Sequence, residues 1–517
     1  MKASIEELDS AKDALSKALS SFAEKNKKLR YADVRLELGE GKGASALQGN
    51  VKGASEDYSV GLGVRVFAGE KNAVAGGFAG KTLGLEDLRK KLGKNLNELL
   101  GLSLKRALLN STEKQRLAKK FPAYARGIHS TELAPVEVCV ETVKAEFKKN
   151  PRDASLEELI ERVEKVSKQL QQMNGIATNS IGVLSGLNRK IFGSTEGALI
   201  DQTFALTEAF IFLAAKGKAM ETYNEILGDY SGLEVLDGVN PFGKNLEDFS
   251  QFLADGTVEV SNAPAMKRTA KEETVITDPW FNTLLSHEVT GHPSEADRAL
   301  KKEAAWAGRA WWFTSLEKNW FGKKVGSDQL TVFSDPSLKG FGGYKYDDEG
   351  VKAKKIFNIK NGVLNEFLNS RETALILGKE PNGGMRASSA EMMPIIRMNN
   401  TCIAPGEWKK DELFADTKEG WYAVGQKTPS IGETRQNFTI TCWKLYKIEN
   451  GEPTQLYRSG GISSDSHKFF LSIDAVADDF HLFNVPNCGK GTPMQTMRVG
   501  NGGPHLRGKA IVSGAMQ

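Results

Sequence analysis

A short cluster of potential metal donors lies near the middle of the chain. His287 and His292 stand five residues apart, and Glu288 directly follows the first histidine. Neutral imidazoles are good ligands for zinc, and a carboxylate beside such a ligand can accept a proton from metal-activated water. Because the chain contains only 6 histidines, this pairing stands out from the background and predicts a metal site with hydrolytic chemistry.

The five-residue spacing does not suit an ideal α-helix, because it separates the two rings by about 140°. Convergence on one ion requires either a local widening to π-helical geometry or a break in the helix. Gly291 is flexible, and Pro293 disfavours the α region for the residue before it, so both favour a break. We expect the histidine–glutamate pair on the last turns of a helix that begins near Asp278, with the second histidine at its exit.

A metal site needs a third protein donor, and the residues leave several candidates open: Glu295 and Asp297 nearby, and His467, His481, His505 and Cys488 at a distance. Cys488 lies in a glycine-containing turn beside Lys490, which favours the thiolate form. Cys139 and Cys442 lie in predicted strands, where small buried side chains are expected. The alternative to a metal site is a purely structural role. In that case a histidine at the helix end interacts with the helix dipole, and Glu288 is a solvated charge.

Glu295 and Asp297 have a further interpretation, as acceptors for the ring N–H groups of the metal-binding histidines. Simple surface charges are the alternative for both. Arg386 and Arg397 are candidate binding groups for a carboxylate or carbonyl of a peptide, because guanidinium groups recognise such oxygens. The sequence is equally compatible with a surface or structural role, in which either arginine pairs with another group of the protein.

The composition excludes several classes of protein. The 517 residues include 69 Lys and Arg against 65 Asp and Glu, a net charge of +4, which argues against a broad nucleic-acid-binding surface. The 4 cysteines are far apart in the sequence, so neither a disulfide framework nor a zinc ribbon is expected. The first residues lack a secretory pattern, and no run approaches the roughly 20 apolar residues of a membrane span. We therefore expect a cytoplasmic protein without a membrane segment.

Apolar periodicity divides the chain into two regions. Helical spacing over 156–170 and strict alternation over 33–38 and 60–66 predict a mixture of helices and strands in the first region. Beyond Arg309, short strand-like runs are separated by turn signals such as Asn361-Gly362, which is typical of antiparallel hairpins.

These patterns predict an α+β fold. A mixed sheet-and-helix domain over 1–235 precedes a mostly antiparallel β domain over 236–517, which carries the metal-site helix. Within the first domain, a capping box at Ser4 predicts an N-terminal helix, and alternating valines predict a strand over 136–140.

Several motifs together resemble the TldD/PmbA metallopeptidases. The segment 287–297 is similar to the family signature H-E-x-x-G-H-x-x-E-x-D, and further matches follow in family order over about residues 60–500: G-x-G-V-R at 61–65, D-D-E-G at 347–350, N-G-V-L at 361–364, R-M-x-N-T at 397–401 and C-G-K at 488–490. Val289 stands where the family usually has alanine. The combination is far more specific than the histidine pair alone.

The resemblance implies one zinc ion per active subunit, bound by His287, His292 and Cys488. Glu288 would be the general base that acts on the metal-bound water. The intact H-E-x-x-x-H element implies the TldD-type catalytic branch, because PmbA-type partners lack it. The family resemblance also implies short or unfolded peptides as substrates, and either a homodimer or a heterodimer with a PmbA-type subunit.

Two other functions remain compatible with parts of the sequence. A non-catalytic peptide-binding or assembly subunit of the same fold would differ by lacking a functional metal site. The segment 75–82 fits a relaxed P-loop, but it lacks a buried lead-in strand and a partner acid for Mg²⁺. We expect a glycine-rich hairpin and turn at this segment rather than a nucleotide site.

Overall fold

The first half of the chain is one large sheet with helices packed on it. The structure is a computed structural model, and it describes residues 3–70, 72–122 and 130–514. The helices are α1 (Ala11–Lys25), α2 (Leu85–Lys120), α3 (Leu156–Gln171) and α4 (Leu246–Asn262). The strands are β1 (Leu29–Leu47), β2 (Asn50–Ala68), β3 (Ala75–Thr82), β4 (Val140–Val143), β5 (Ile176–Ser194), β6 (Leu199–Lys216) and β7 (Met220–Asp229).

This first sheet has the strand order β3-β2-β1-β5-β6-β4, and β7 pairs with β6 beside β4. Its neighbours run antiparallel except for the β4–β6 pair. The apolar side chains of α1 and α2 bury one part of the sheet, and those of α3 and α4 bury another. The boundary predicted at residue 235 falls between β7 and α4, which packs on this first sheet.

The second half consists mainly of short strands around a buried helical segment. The strands are β8 (Glu273–Thr277), β9 (Val332–Ser334), β10 (Ile356–Lys360), β11 (Val363–Leu364), β12 (Met385–Arg386), β13 (Ile395–Ile396), β14 (Asn400–Ile403), β15 (Glu419–Ile431), β16 (Asn437–Glu449), β17 (Glu452–Tyr457), β18 (Gly461–Asp465), β19 (Ala475–Val476), β20 (His481–Lys490), β21 (Gln495–Gly503) and β22 (Leu506–Ser513). The helices are α5 (Asn282–Leu284), α6 (Ala296–Ala299), α7 (Arg371–Leu377), α8 (Lys410–Asp416) and α9 (Ser466–Ser472).

Two larger sheets organise this half. One has the order β11-β10-β9-β14-β21-β20, and the other has the order β15-β8-β22-β18-β16-β17, with β19 beside β22. Strands from both sheets share one apolar core, which also contains side chains of the helical segment at 281–289. The metal-site helix is therefore held from several sides. Within the described ranges, no helix combines the length and apolar character needed to cross a membrane.

The α+β fold predicted from the sequence is confirmed, whereas two local details differ. The N-terminal helix is divided into a 3₁₀ turn at Ile5–Leu8 and helix α1, and the Ser4 side chain does not cap it. The strand predicted over 136–140 begins only at Val140. Segment 75–82 forms the edge strand β3 and pairs antiparallel with β2, in agreement with the expected glycine-rich hairpin, and the Lys81 ammonium group donates to Asn95 at 2.7 Å.

The glycines of β2 and β3 permit the two halves to approach closely. A Cβ atom on Gly63 would lie 1.9 Å from the carbonyl oxygen of Ala390, and one on Gly80 would lie 1.9 Å from that of Glu391. The Arg35 guanidinium group, also on the first sheet, donates to the carbonyl oxygen of Met392 at 3.0 Å. The segment at 390–392 therefore packs directly on the backbone of the first sheet, where no side chain fits.

A buried ion pair strengthens this connection. Arg65 on β2 donates to Asp33 at 2.6 Å and to Glu349 at 2.7 Å. The second carboxylate oxygen of Glu349 accepts the backbone N–H of Arg371 at 2.7 Å. Two motifs that are 284 residues apart, G-x-G-V-R and D-D-E-G, thus meet through one guanidinium–carboxylate contact.

We predict that Glu349→Ala destabilises the protein by about 3 kcal/mol or more, because removing one partner leaves part of a buried charge uncompensated. The midpoint of urea unfolding measures this loss. Glu113→Ala is the matched control, since Glu113 pairs with Arg116 at the surface and its loss should leave the unfolding midpoint nearly unchanged. Equal unfolding midpoints for the two variants would contradict the structural role of the buried pair.

Candidate metal centre

A π-helical turn brings the two histidines together. The helix begins with α5 and continues as a π-helix over Leu285–Gly291, and the N–H group of His292 bonds to the carbonyl oxygen of His287. A hydrogen bond between residues i and i+5 places such residues one above the other. The two imidazole centroids consequently lie 4.8 Å apart, so the widened helix, one of the two geometries expected from the spacing, is the one that forms.

Close packing accounts for Gly291 in this turn. Its backbone is helical, with a φ of −61°, so the residue continues the helix rather than breaking it. A Cβ atom at this position would lie 2.0 Å from the Sδ atom of Met398. Upstream, the Asp278 carboxylate accepts the N–H of Phe281 at 2.6 Å and fixes the start of the helix, near the residue predicted from the sequence.

Each histidine ring is oriented by a hydrogen bond at Nδ1. The Nδ1 atom of His287 lies 2.8 Å from Oδ1 of Asn501, and that of His292 lies 2.9 Å from Oε2 of Glu295. Such contacts fix the ring orientation and the tautomer of metal-binding histidines. Both Nε2 atoms are thereby left free to face a common point.

Cys488 reaches this point from strand β20. Its Sγ atom lies 3.6 Å from Nε2 of His292, although the two residues are 196 positions apart. The donor atoms of His287, His292 and Cys488 all lie within 4.8 Å of one another, and all three side chains are buried. Among the candidates for a third ligand that the sequence left open, Cys488 is the one that lies close to both imidazole rings in the structure.

The protonation of the donors reflects their proximity. Burial lowers the pKa of His287, but the adjacent Cys488 thiolate outweighs burial and raises this pKa to about 9. Burial likewise raises the pKa of Cys488, but the two imidazoles and Arg397 outweigh it and hold this pKa well below its usual range. The site therefore stabilises the thiolate form of Cys488, and a metal cation that binds there would replace the imidazolium proton as its positive partner.

Glu288 lies beside the donors and is held by an arginine. Arg435 donates to the Glu288 carboxylate and, at 3.1 Å, to its backbone carbonyl oxygen. Burial raises the pKa of Glu288, but the charges of Arg435 and the two histidines outweigh burial and lower it to about 2. The carboxylate is consequently ionised near neutral pH, as a proton acceptor must be.

The remaining predicted side chains hold the segments around the donors. Asp297 does not reach either imidazole, because its carboxylate accepts the backbone N–H of Arg298 and the ammonium group of Lys490. Arg397 donates to the carbonyl oxygen of Cys488, and Arg386 donates to that of Met398 at 2.9 Å. Both guanidinium groups are thus engaged by the protein backbone in this structure.

The other candidate donors lie in different surroundings. The Nδ1 atom of His505 is 2.6 Å from Asp479, and its Nε2 atom is 3.0 Å from the Tyr422 hydroxyl. The His467 ring packs between two tryptophans, and His481 is exposed at the start of β20. The distant histidines proposed from sequence are therefore not part of the cluster.

The donors line a cavity of about 560 Å³ between the two halves of the chain. Strand β7 of the first sheet contributes Asn224, Glu225 and Ile226 to its wall, and the loop after α6 contributes the exposed indole of Trp306. This volume lies within the range of typical ligand pockets, about 300–1,000 Å³. The cavity therefore gives a ligand access to the donors and to Glu288.

Sequence reasoning missed three residues at this centre. Asn501 orients His287, Arg435 binds Glu288, and Glu225 lines the cavity as a buried acid. Each is a single residue on a separate element, without a neighbouring chemical motif. The glycines around Asn501 were the one local signal, since they indicate close approach of the backbone.

Comparisons with known proteins agree with these features. Residues 270–514 match the family model of the PmbA/TldA metallopeptidase C-terminal domain. A metalloprotease from Methanocaldococcus jannaschii is 31% identical over 487 residues, which cover 93% of this chain and 97% of that protein. A zinc metalloprotease TldD homolog from Saccharolobus solfataricus is 30% identical over 69% of this chain and 76% of its own length.

Solved structures show the same fold. TldE from Thermococcus kodakarensis has a TM-score of 0.66 at 15% identity, covering 97% of this chain and 100% of its own. A Thermotoga maritima protein described as a modulator of a DNA gyrase has a TM-score of 0.70 at 15% identity, with the same coverage. At this identity the likeness concerns the fold alone.

The chain belongs to the TldD/PmbA family of metallopeptidases, as its motifs predict. It is an enzyme of the metalloprotease class that uses a metal cofactor.

We predict that Asn501→Ala weakens metal binding about 10- to 100-fold, because the His287 ring loses the contact that orients it. A competitive titration with a fluorescent chelator measures the affinity. Asn179→Ala is the control, since this buried amide lies in the first sheet and bonds to Ser167. A normal metal affinity in the Asn501 variant would show that the contact does not position the ring.

Proposed function

We propose that this metallopeptidase hydrolyses short or unfolded peptides at one zinc ion per active subunit. His287, His292 and Cys488 would bind the ion, and Glu288 would be the general base. The observation that carries this proposal is the convergence of three buried donors beside an ionised carboxylate in one cavity.

The donor set fits zinc in number and in chemistry. Two imidazoles and one thiolate are borderline and soft ligands, and three protein donors leave one position for water or substrate, as in catalytic zinc sites. When bound, zinc would lower the pKa of a water molecule and polarise the scissile carbonyl group. The ring contacts of Asn501 and Glu295 would keep both imidazoles aimed at the ion.

Glu288 would perform the proton transfers of the reaction. Its ionised carboxylate lines the cavity and can accept the proton of the attacking water, then pass it to the leaving amine. Arg435 donates to both the carboxylate and the backbone carbonyl oxygen of Glu288. These two contacts restrict rotation of the Glu288 side chain. Arg435 is therefore a positioning residue in this proposal.

The cavity supports extended peptides as substrates. It is enclosed by both halves of the chain, and its volume accommodates a few residues rather than a folded domain. Strand β7, which lines it, pairs only with β6 among the described strands. A peptide backbone can add to such an edge with little dependence on its side chains, and Arg386 or Arg397 would contact it only after leaving their present partners.

We extend the proposal to assembly and location. The family resemblance supports either a homodimer or a heterodimer with a PmbA-type subunit, and sedimentation of the chain alone and with such a subunit tests the choice. None of the four cysteines forms a disulfide, which supports the cytoplasm as the compartment, since cysteines stay reduced there.

We predict that Glu288→Gln lowers peptide hydrolysis about 10²- to 10⁴-fold while the zinc content stays unchanged, because the amide cannot accept the proton. Turnover of a fluorogenic peptide measures the effect, and elemental analysis measures the zinc. Glu433→Gln is the control, because Glu433 is an exposed carboxylate in the Arg435 loop that pairs with Arg309. Undiminished turnover in the Glu288 variant would refute its role as the base.

We predict that Cys488→Ser lowers the zinc content of the purified protein well below one ion per chain. Cys442→Ser is the matched control, since Cys442 is also buried but lies in β16 and bonds to the carbonyl oxygen of Gly460. Stoichiometric zinc in both variants would remove Cys488 from the ligand set. Zinc in neither variant nor the wild type would contradict the proposed zinc enzyme.

A further inference from the structure

A second carboxyl group lines the cavity and has no part in the mechanism above. Glu225 lies on β7 and shares the cavity wall with His287, Glu288 and Cys488. Its side chain is only 6% exposed. An acid in such a position requires an explanation, because burial of a charged group is costly unless an opposite charge compensates it.

The partners of Glu225 in the structure are neutral. Its carboxylate accepts the indole N–H of Trp280 and the backbone N–H of Ile226, both at 2.9 Å, and the Tyr223 hydroxyl lies 3.4 Å away. Of the ion pairs between described residues, none includes Glu225. Burial raises the pKa of this group to about 7, against the effect of the hydrogen bonds.

The lysine and the arginine that line the cavity are already paired. Lys427 bonds to Glu221 at 2.9 Å, and Arg435 bonds to Glu288. A glutamine would leave one of these N–H donors without an acceptor, because Oε1 of Glu225 accepts the backbone N–H of Ile226 and Oε2 accepts the indole N–H of Trp280. Beyond these contacts, the carboxyl group can carry a negative charge, which a cation entering the cavity would neutralise.

We propose that Glu225 is a subsite for the ammonium group of a peptide substrate. The inference rests on the proposed peptidase function and adds to it the class of substrate that the cavity prefers. An ammonium group has the size and charge to bind the carboxylate, and its desolvation in the cavity is compensated by a charge-assisted hydrogen bond. The group can come from the N-terminus of the peptide or from a lysine side chain.

The test compares four peptides that share one sequence. The first has a free N-terminus and no lysine, the second is its N-acetylated form, the third is acetylated with one lysine, and the fourth has norleucine at that position. We expect the wild type to prefer at least one ammonium-bearing peptide over its neutral counterpart by about tenfold or more in kcat/KM. The first pair reports an N-terminal preference, and the second pair reports a side-chain preference.

Glu225→Gln should remove this preference, because the ammonium-bearing peptide is slowed more than its neutral counterpart until their kcat/KM values agree within about twofold. Asp229→Asn is the matched control. Asp229 is another carboxyl group of β7 whose pKa is raised by burial, to about 6, but it lines a different cavity. This variant should keep the preference.

Two kinetic results would overturn the subsite. One is equal cleavage of charged and neutral peptides by the wild type. This measurement does not depend on whether a variant folds. The other is an equal loss with all four peptides in the Glu225 variant, which indicates a structural role. Calorimetry of the four peptides binding to the Glu288→Gln variant separates this inference from the proposed function. If this variant binds charged and neutral peptides equally well, the subsite is refuted. If the wild type hydrolyses none of the peptides, the peptidase proposal alone is refuted.

Discussion

The buried ammonium group of Lys490 joins the two segments that carry the proposed metal donors. This side chain is completely buried and lies 2.7 Å from Asp297 and 3.2 Å from Glu295. Lys490 follows Cys488 by two residues, and Glu295 contacts the ring of His292. The strand that supplies sulfur is therefore joined to the helix that supplies nitrogen by one charge cluster. Separating the two segments would leave buried charges uncompensated, which is strongly unfavourable.

This cluster gives a physical reason for the spacing of the sequence motifs. The first acid after the histidine pair, Glu295, accepts from an imidazole, and the second, Asp297, accepts from the lysine of C-G-K. The two motifs are complementary parts of one site, although nearly two hundred residues separate them. The same logic applies to Arg65 and Glu349, which connect the first sheet to the second half.

Much of the fold and part of the site follow from local sequence. Alternation identified β1 and β2, and helical periodicity over 156–170 identified α3, which the structure caps at Ser155. The histidine spacing limited the local geometry to two choices, and the π-helical one forms because Gly291 lets the turn pack against Met398. Arg435 had no such signal, since its contact with Glu288 depends on where a loop 147 residues away is placed by tertiary packing.

The first sheet lines the cavity that contains the proposed metal donors, rather than being a separate support. Asn484 on β20 donates to the carbonyl oxygen of Gly228 on β7 at 2.8 Å, so the strand that carries Cys488 is bonded to the strand that carries Glu225. Residues 390–392 and the Arg65 ion pair hold the same two halves together at a second place. The distance between the metal donors and the opposing strand is consequently set by contacts outside the cavity. Long side chains at Gly63 or Gly80 would therefore change the shape of the cavity without touching a metal donor.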